Sequence, residues 1–175
     1  MPQSVPSWAE LLGSARESAV HLEMRDAYAA ASEADELARW RATGTADTDP
    51  DSPYWRPWSE LIRRAVARGV RVRRARIVSE PVSDYIRYEY ATTVVNVAIG
   101  EEVRWLPRRQ VSDLALPGND FWLIDGRLIR WNHFTGDGAS APGEISEDPA
   151  AAQLCADAFA AVWARAIPHD EYKIS

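Results

Sequence analysis

Residues 119–134 read NDFWLIDGRLIRWNHF, and this stretch decides the fold because it predicts two β-strands joined by a tight turn. Asp125-Gly126 is a favoured two-residue hairpin turn, since glycine tolerates the positive φ that such a turn requires. The residues on both sides of the turn are rich in β-branched and aromatic side chains, as in strands. The stretch therefore predicts a sheet, although it indicates no reaction.

Upstream of this hairpin, apolar and polar residues alternate from Val20 to Arg25, which predicts another strand. Ser7 and Glu10 form a capping-box pattern, so residues 1–18 are predicted to be an N-terminal arm or short helix. The other predicted elements are helices over 32–41, 55–68, 85–97 and from Asp148 onward, strands over 70–78 and 102–106, and a short helical turn at 108–114.

Two segments, 45–53 and 135–148, are rich in acidic residues, glycine, serine or proline and are predicted to be surface loops. A helix, a glycine and then a strand give the αβ half of an α/β unit. The sequence thus predicts that residues 1–175 form a single α/β domain, with a mixed β-sheet flanked by helices.

The composition is that of a globular protein, with 46% hydrophobic and 26% charged residues. No apolar run reaches the ~18 residues of a membrane span, and the N-terminus lacks the pattern of a signal peptide, so we expect a cytoplasmic protein. Cys155 is the only cysteine and is expected to be a buried apolar residue. Lys173 is the only lysine, which leaves no plausible lysine for Schiff-base or phosphate-loop chemistry.

Four stretches carry a resemblance to a known family. They are HLEMRDAY at 21–28, SEPVSDYIR at 79–87, VRWLPR at 103–108 and DFWLID at 120–125. Together they resemble a family of actinobacterial proteins of similar length, a domain of unknown function. Members are often encoded near helix-turn-helix regulators, so the resemblance implies a regulator of that class as a partner.

A more distant resemblance is to the phospholipase D-like fold, whose catalytic signature is His-x-Lys-x4-Asp before a hairpin turn. If the aspartate of that signature is placed on Asp125, the lysine position falls on Asp120 and the histidine position on Gly118. An aspartate in place of lysine would repel a phosphate group. The resemblance therefore implies a degenerate phospholipase D-like protein without phosphodiesterase activity.

The leading functional hypothesis is a non-catalytic binding or regulatory protein. Tryptophan and arginine anchor many protein interfaces, and the chain has eight tryptophans, several of them next to arginines. The candidate ligand- or partner-binding residues are Arg104, Trp105, Arg108, Trp122, Trp131 and His133.

Two other functions compete with this one. The first is a hydrolase acting on a phosphate-bearing substrate, with a pocket of His21, Glu23, Glu80 and Asp84, and with His133 as another histidine that could act as acid or base. The second is a nucleic-acid-binding protein that uses the basic run Arg63–Arg76, although the net charge of −6 opposes it. No cofactor or metal is predicted, because the three histidines lack a metal-ligand spacing; a site assembled from His21, Glu23, Asp26 and His133 is the alternative.

Overall fold

The computed structural model describes residues 4–175 and contains five α-helices and seven β-strands within that range. The helices are α1 (Trp8–Ser14), α2 (Ala34–Thr43), α3 (Arg56–Ala67), α4 (Asp84–Ala98) and α5 (Pro149–Arg165). The strands are β1 (Ser18–Glu23), β2 (Arg71–Val78), β3 (Glu102–Pro107), β4 (Asp120–Ile124), β5 (Leu128–Asn132), β6 (Glu144–Ser146) and β7 (Ile167–Pro168).

The seven strands form one mixed sheet in the order β6-β5-β4-β1-β2-β3-β7. Strands β1, β2 and β3 are parallel, whereas β4, β5, β6 and β7 each pair antiparallel with a neighbour. Helix α5 covers one face of the sheet, and α1, α3 and α4 lie on the other. The predicted α/β domain with a mixed sheet flanked by helices is confirmed.

The predicted hairpin is formed by β4 and β5. Asp125 and Gly126 both have positive φ, 50° and 65°, as a primed turn requires. The Asp125 carboxylate also accepts hydrogen bonds from the backbone N–H groups of Arg16, Glu17 and Ser18 at 2.8–3.1 Å. The turn therefore fixes the chain where it enters β1.

Most local signals in the sequence gave the correct elements. Ser7 and Glu10 form the predicted capping box at α1, Ser83 caps α4 by accepting from the Ile86 N–H, and Asp148 caps α5. Gly44 has φ 70° and ends α2 as a left-handed cap. The turn predicted at 108–114 is a short 3₁₀ segment, Arg108–Val111.

The loop prediction for 135–148 was wrong in part, because β6 lies within it and pairs with β5. The segment 45–53 contains no helix or strand, as predicted. Strand β7, which pairs with β3 at the opposite edge, was not predicted either. Both strands have only two or three residues, too few for an alternating pattern to be recognised.

Candidate functional site

A layer of polar side chains lies on the face of the sheet that α3 and α4 cover. Its members are His21 and Glu23 of β1, Arg74 and Arg76 of β2, Asp120 of β4 and Asn132 of β5. His21 is in register with Arg74, Glu23 with Arg76, and Asp120 with Asn132. Because successive side chains of a strand point to opposite faces, the residues between them face α5 instead.

Glu23 is the centre of a buried network of ion pairs. Its Oε1 lies 3.0 Å from Arg74 Nη1, and its Oε2 lies 2.6 Å from Arg76 Nε. Arg74 Nε also lies 2.6 Å from Oε1 of Glu101, which is 2% exposed. One carboxylate thus bridges two arginines that would otherwise repel each other inside the protein.

Side chains of α4 and its end complete this network. Arg76 Nη1 donates to the Thr93 hydroxyl at 2.5 Å, and Asn96 Nδ2 donates to Glu101 Oε2 at 2.8 Å. Glu89 Oε2 lies 3.7 Å from Arg76 Nε, beyond hydrogen-bond distance. Both arginines are therefore already engaged by carboxylates of the protein.

A cavity of about 350 Å³ lies above this layer, and we call it the central pocket. Its size is within the range of small-ligand sites. Its polar lining is His21, Glu23, Ser32, Glu33, Arg74, Arg76, Glu89, Thr92, Asn96, Asp120 and Asn132. Its aromatic lining is Trp8, Tyr28, Tyr54, Trp55, Trp58, Tyr85, Tyr88 and Phe134, and Ala30 completes it.

The aromatic rings pack on one another around the central pocket. The ring centroids of Tyr28 and Phe134 are 5.0 Å apart, those of Tyr28 and Tyr85 5.7 Å, and those of Trp8 and Trp58 5.7 Å. Such edge-to-face contacts hold aromatic rings in fixed orientations. The rings come from five separate parts of the chain, so the rim of the central pocket is built by tertiary packing.

Burial changes the acidity of the carboxyl groups in the central pocket. It raises the pKa of Glu89 to about 8 and the pKa of Asp120 to about 6, and it also raises the pKa of Glu33. Glu23 differs, because the Arg76 and Arg74 guanidiniums overcome the effect of burial and hold its pKa at about 2. The central pocket therefore contains one firmly ionised carboxylate and three that are harder to ionise.

His21 lies deep in the central pocket, with its ring stacked on Trp122 at 4.5 Å between centroids. Burial lowers its pKa to about 3, and the neighbouring arginines act in the same direction. Its Nε2 lies 3.4 Å from Asn132 Nδ2 and 3.9 Å from Glu23 Oε1. The imidazole is consequently uncharged at neutral pH.

The raised pKa of Glu89 makes stability depend on pH. Folded protein keeps this carboxyl protonated between about pH 4.5, the ordinary value, and about pH 8, whereas the unfolded chain loses the proton. The contribution of Glu89 to the free energy of unfolding must therefore fall as the pH rises through this range. We expect Glu89→Gln, which cannot ionise, to reduce that fall when urea unfolding is measured at about pH 5 and about pH 8.5.

The exposed Glu60→Gln on α3 is the matched control and should keep the full pH dependence, since Glu60 makes only a solvent-exposed pair with Arg64. Equal pH dependence in Glu89→Gln and the wild type would contradict the assignment. The charged groups near Glu89 are Arg76, Arg74, Glu23 and Glu33, and the Tyr85 hydroxyl also faces it; all of them remain in the variant.

The structure brings together only part of the predicted hydrolase pocket. His21 and Glu23 both line the central pocket, but Glu80, Asp84 and His133 do not. Glu80 accepts a hydrogen bond from the Tyr172 hydroxyl, and Asp84 forms an exposed ion pair with Arg41. His133 Nε2 instead lies 3.5 Å from Glu144 Oε2. The predicted four-residue pocket was therefore wrong, because the chain turns Glu80 and Asp84 away from the sheet.

The predicted partner-binding residues do not form one surface. Arg104 and Trp105 lie on β3, whereas Trp122 and Trp131 lie on β4 and β5, beyond β2 and β1 in the sheet. Trp105 and Trp122 are 0% and 1% exposed, so they belong to the core and cannot contact a partner of the folded protein. Trp131 is half-buried against Phe121 on the α5 face.

The two arginines of that set stabilise the fold. Arg104 donates to the carbonyl of Trp163 at the end of α5, and its guanidinium lies 4.4 Å from the centre of that ring. Arg108 donates to Ser79 Oγ and to the backbone carbonyls of Met24 and Ile77. Arg108 therefore connects, through hydrogen bonds, the chain segments that follow β1 and β2.

The basic run Arg63–Arg76 is divided between both faces of the sheet and the protein surface. Arg74 and Arg76 are buried in the network, and Arg73 points the other way, 5.4 Å and 5.3 Å from the ring centres of Phe159 and Trp163. The remaining arginines of the run, Arg63, Arg64, Arg68 and Arg71, are exposed. The run as a whole cannot form the single exposed face that nucleic-acid binding requires.

Several residues of the central pocket were missed by the sequence analysis, including Tyr28, Glu33, Glu89 and Asn132. A signal was present on β2, where the charged Arg74 and Arg76 alternate with the apolar Ala75 and Ile77. In a strand covered on both faces, this alternation requires buried partners for the charged residues. No sequence feature near β2 indicated which acidic residues would be those partners.

No group of three or more His, Cys, Asp or Glu side chains within residues 4–175 is arranged to hold a metal ion. In the same range, no helix is long and apolar enough to cross a lipid bilayer. Cys155 is buried, as predicted, and burial raises the pKa of its thiol to about 12.

Two solved structures are similar to this chain. The phospholipase D family member Nuc from Salmonella typhimurium is similar with a TM-score of 0.54 and 13% identity, over 92% of this chain and 87% of that chain. TrmBL2, an archaeal chromatin protein described with a novel mode of DNA binding, is similar with a TM-score of 0.48 and 13% identity, over 91% of this chain and 48% of that chain. The phospholipase D-like fold predicted from the sequence is confirmed.

The structure also shows what occupies the three signature positions assigned from the sequence. Asp125 binds the backbone at the hairpin turn, and Asp120 lines the central pocket, where its carboxylate accepts hydrogen bonds from Met24 N and the Tyr28 hydroxyl. Gly118 lies on an exposed loop outside the central pocket. Of the three assigned positions, only Asp120 therefore lies in the central pocket.

Sequence comparison shows which family the chain belongs to. No curated protein matches it, but a family model described as Domain of unknown function (DUF6879) matches residues 6–174. The match confirms the membership that the motifs predicted, whereas the actinobacterial origin and the neighbouring regulator stay predictions. The chain therefore belongs to the DUF6879 family.

Proposed function

We propose that this protein is a non-catalytic binding protein that holds a small polar ligand in the central pocket. The observation that carries the proposal is the central pocket itself, which combines a charged floor with an aromatic rim. The floor lies towards the carboxyl ends of the parallel strands β1 and β2, the usual position of ligand sites in α/β sheets. Pockets that combine apolar walls with a few polar groups are typical of small-ligand sites.

The charges of the central pocket argue against a phosphate-bearing substrate. Four carboxyl groups but only two guanidinium groups line it, and both guanidiniums are paired with carboxylates of the protein. A phosphate would have to displace one of those pairs and approach Asp120 and Glu89. Phosphoryl transfer instead requires free positive groups that stabilise the developing charge.

A thermal-shift screen of small metabolites against the purified protein tests the proposal. A ligand at 100 times its Kd stabilises the folded state by about 2.7 kcal/mol, which for this chain length is roughly 5–10 °C in Tm. Bound compounds should lose this effect with Asn132→Trp, which fills the central pocket, and keep it with the exposed Asp113→Asn. Shifts that persist in Asn132→Trp would place binding elsewhere.

The non-catalytic part of the proposal has its own test. Incubation with bis-p-nitrophenyl phosphate, a general phosphodiester substrate, should release no nitrophenol above the buffer rate. Release that disappears in His21→Ala, while that variant stays folded, would overturn the proposal in favour of the hydrolase hypothesis.

We further propose that the protein has a regulatory role and binds a helix-turn-helix regulator. This proposal rests on the family resemblance, which implies that the two genes are often neighbours. Co-expression with the neighbouring regulator, followed by size-exclusion chromatography with light scattering, should give a stoichiometric complex. Elution as two separate proteins at high concentration would discard this partner without affecting the small-ligand proposal.

A further inference from the structure

We infer that the ligand of the central pocket is an organic cation, an alkylammonium or guanidinium group carried on an apolar or aromatic body. This inference rests on the proposed function, since it names the chemical class of ligand for the same site. The evidence for it is that some charged groups of the central pocket already have a partner of opposite charge, whereas others do not.

Within the described residues, two carboxyl groups of the central pocket, Glu33 and Asp120, form no ion pair, and a third, Glu89, forms only a long one. Glu33 accepts one hydrogen bond, from the Tyr85 hydroxyl at 2.7 Å. Asp120 accepts from the Tyr28 hydroxyl and from Met24 N, both of them neutral groups. The closest cationic group to Glu89 is Arg76, at 3.7 Å. A cation bound among these carboxyl groups would stabilise their ionised forms.

Glu89 is also incompletely hydrogen-bonded. It is 6% exposed, and its Oε2 has no hydrogen-bond donor, although Tyr85 lies 3.3 Å from Oε1. Buried carboxylate oxygens are normally satisfied, and an unsatisfied one marks an incomplete site. An ammonium or guanidinium group supplies N–H donors of the kind that Glu89 lacks.

The aromatic rim favours the same class of ligand. Eight aromatic side chains line the central pocket, and the faces of tyrosine and tryptophan rings attract cations at distances up to about 6 Å. The molecule already uses this contact, since the Arg130 guanidinium lies 3.8 Å from the centre of the Trp8 ring. An anionic ligand would gain nothing from these faces.

The raised pKa values of Glu89, Asp120 and Glu33 agree with this inference. Burial raises all three, because each carboxyl group loses solvent and the nearby arginines do not fully compensate for that loss. A bound cation supplies positive charge and lets the carboxyl groups ionise.

The test uses three compounds that differ in the charge of one terminal group. Tyramine carries an ammonium, tyrosol a neutral hydroxyl and p-hydroxyphenylacetate a carboxylate on similar phenolic bodies. By isothermal titration calorimetry on the full chain, we expect tyramine to bind at least about tenfold more tightly than tyrosol and p-hydroxyphenylacetate to bind most weakly.

Variants locate the effect in the central pocket. Glu33→Gln and Asp120→Asn, which keep the shape of each side chain, should each weaken tyramine about tenfold and change tyrosol by less than about twofold. The exposed variants Glu60→Gln and Asp113→Asn should change neither compound. Circular dichroism and Tm measurements confirm that each variant is folded.

Tyrosol or p-hydroxyphenylacetate binding as tightly as tyramine would overturn the charge inference while leaving the small-ligand proposal intact. The absence of heat with all three compounds at millimolar concentration would also overturn it. The metabolite screen then tests the small-ligand proposal separately. That proposal fails if no compound in the screen gives a Tm shift that Asn132→Trp removes.

Discussion

Replacement of Glu23 by glutamine is expected to lower the free energy of unfolding by about 3 kcal/mol. Glu23 is 8% exposed and bridges Arg74 and Arg76 at 3.0 and 2.6 Å. Glutamine keeps the shape of the side chain but leaves two buried guanidiniums facing each other with less compensation. Glu101 and Glu89 still accompany them, which places the expected cost at the lower end for a broken buried ion pair.

Denaturant unfolding with a linear extrapolation measures this loss, and Tm should fall by roughly 6–12 °C. Glu60→Gln is again the control, because Glu60 and Arg64 form an exposed pair 3.6 Å apart. Exposed pairs contribute little, so this control should change stability by less than about 0.5 kcal/mol. If the two variants lose the same small amount of stability, the buried network is not what holds α4 on the sheet.

Replacement of Trp122 by alanine should cost about 4 kcal/mol, the largest effect that we predict. Trp122 is 1% exposed, and its ring contacts Trp8, Trp58 and His21 with centroids 4.5–5.8 Å apart. Alanine would leave a cavity between α1, α3 and the sheet that the surrounding side chains cannot fill. The same substitution would also remove the ring under the imidazole of His21.

This experiment distinguishes a core residue from a residue of a binding surface. Trp131→Ala, at a half-buried site beside Phe121, should lose clearly less stability under the same conditions. A Trp122→Ala protein with unchanged Tm would show that the ring is not a core residue, and it would return Trp122 to the candidate partner surface.

The fold could be predicted from the sequence because its signals are local. Asp125-Gly126 specifies a hairpin within two residues, Gly44 ends α2, and the alternation from Val20 to Arg25 specifies β1. Each of these signals acts within a few residues and needs no knowledge of the tertiary structure. Strands β6 and β7 escaped prediction because pairing with a longer neighbour, rather than their own pattern, makes them strands.

The site could be predicted only in part because its members come from distant segments. Glu33 precedes α2, Glu89 lies within α4 and Asp120 begins β4, and no sequence spacing connects them. His21 and Glu23 were identified because they are two residues apart on one strand. Trp105 and Trp122 were assigned to a surface because composition does not distinguish a buried tryptophan from an exposed one.

The comparison with the phospholipase D-like fold gives the change in the site a physical meaning. The position assigned to the signature lysine carries Asp120, whose carboxyl group accepts hydrogen bonds in the central pocket. A carboxyl group in place of an ammonium reverses the charge that a ligand meets there. Asp120 is therefore one of the carboxyl groups on which the proposed preference for cations rests.

The most direct experiment asks whether a ligand binds in the central pocket. It records the indole N–H signals of the eight tryptophans in two-dimensional proton–nitrogen correlation spectra. Tyramine and tyrosol are titrated separately, and single Trp→Phe variants assign the signals. If the central pocket is the binding site, the signals of Trp8, Trp55 and Trp58, which line it, should shift. The signals of Trp131 and Trp163 on the α5 face should not. Shifts confined to Trp131 and Trp163 would contradict binding in the central pocket, whereas no shift with either compound would overturn the inference that the ligand is a cation.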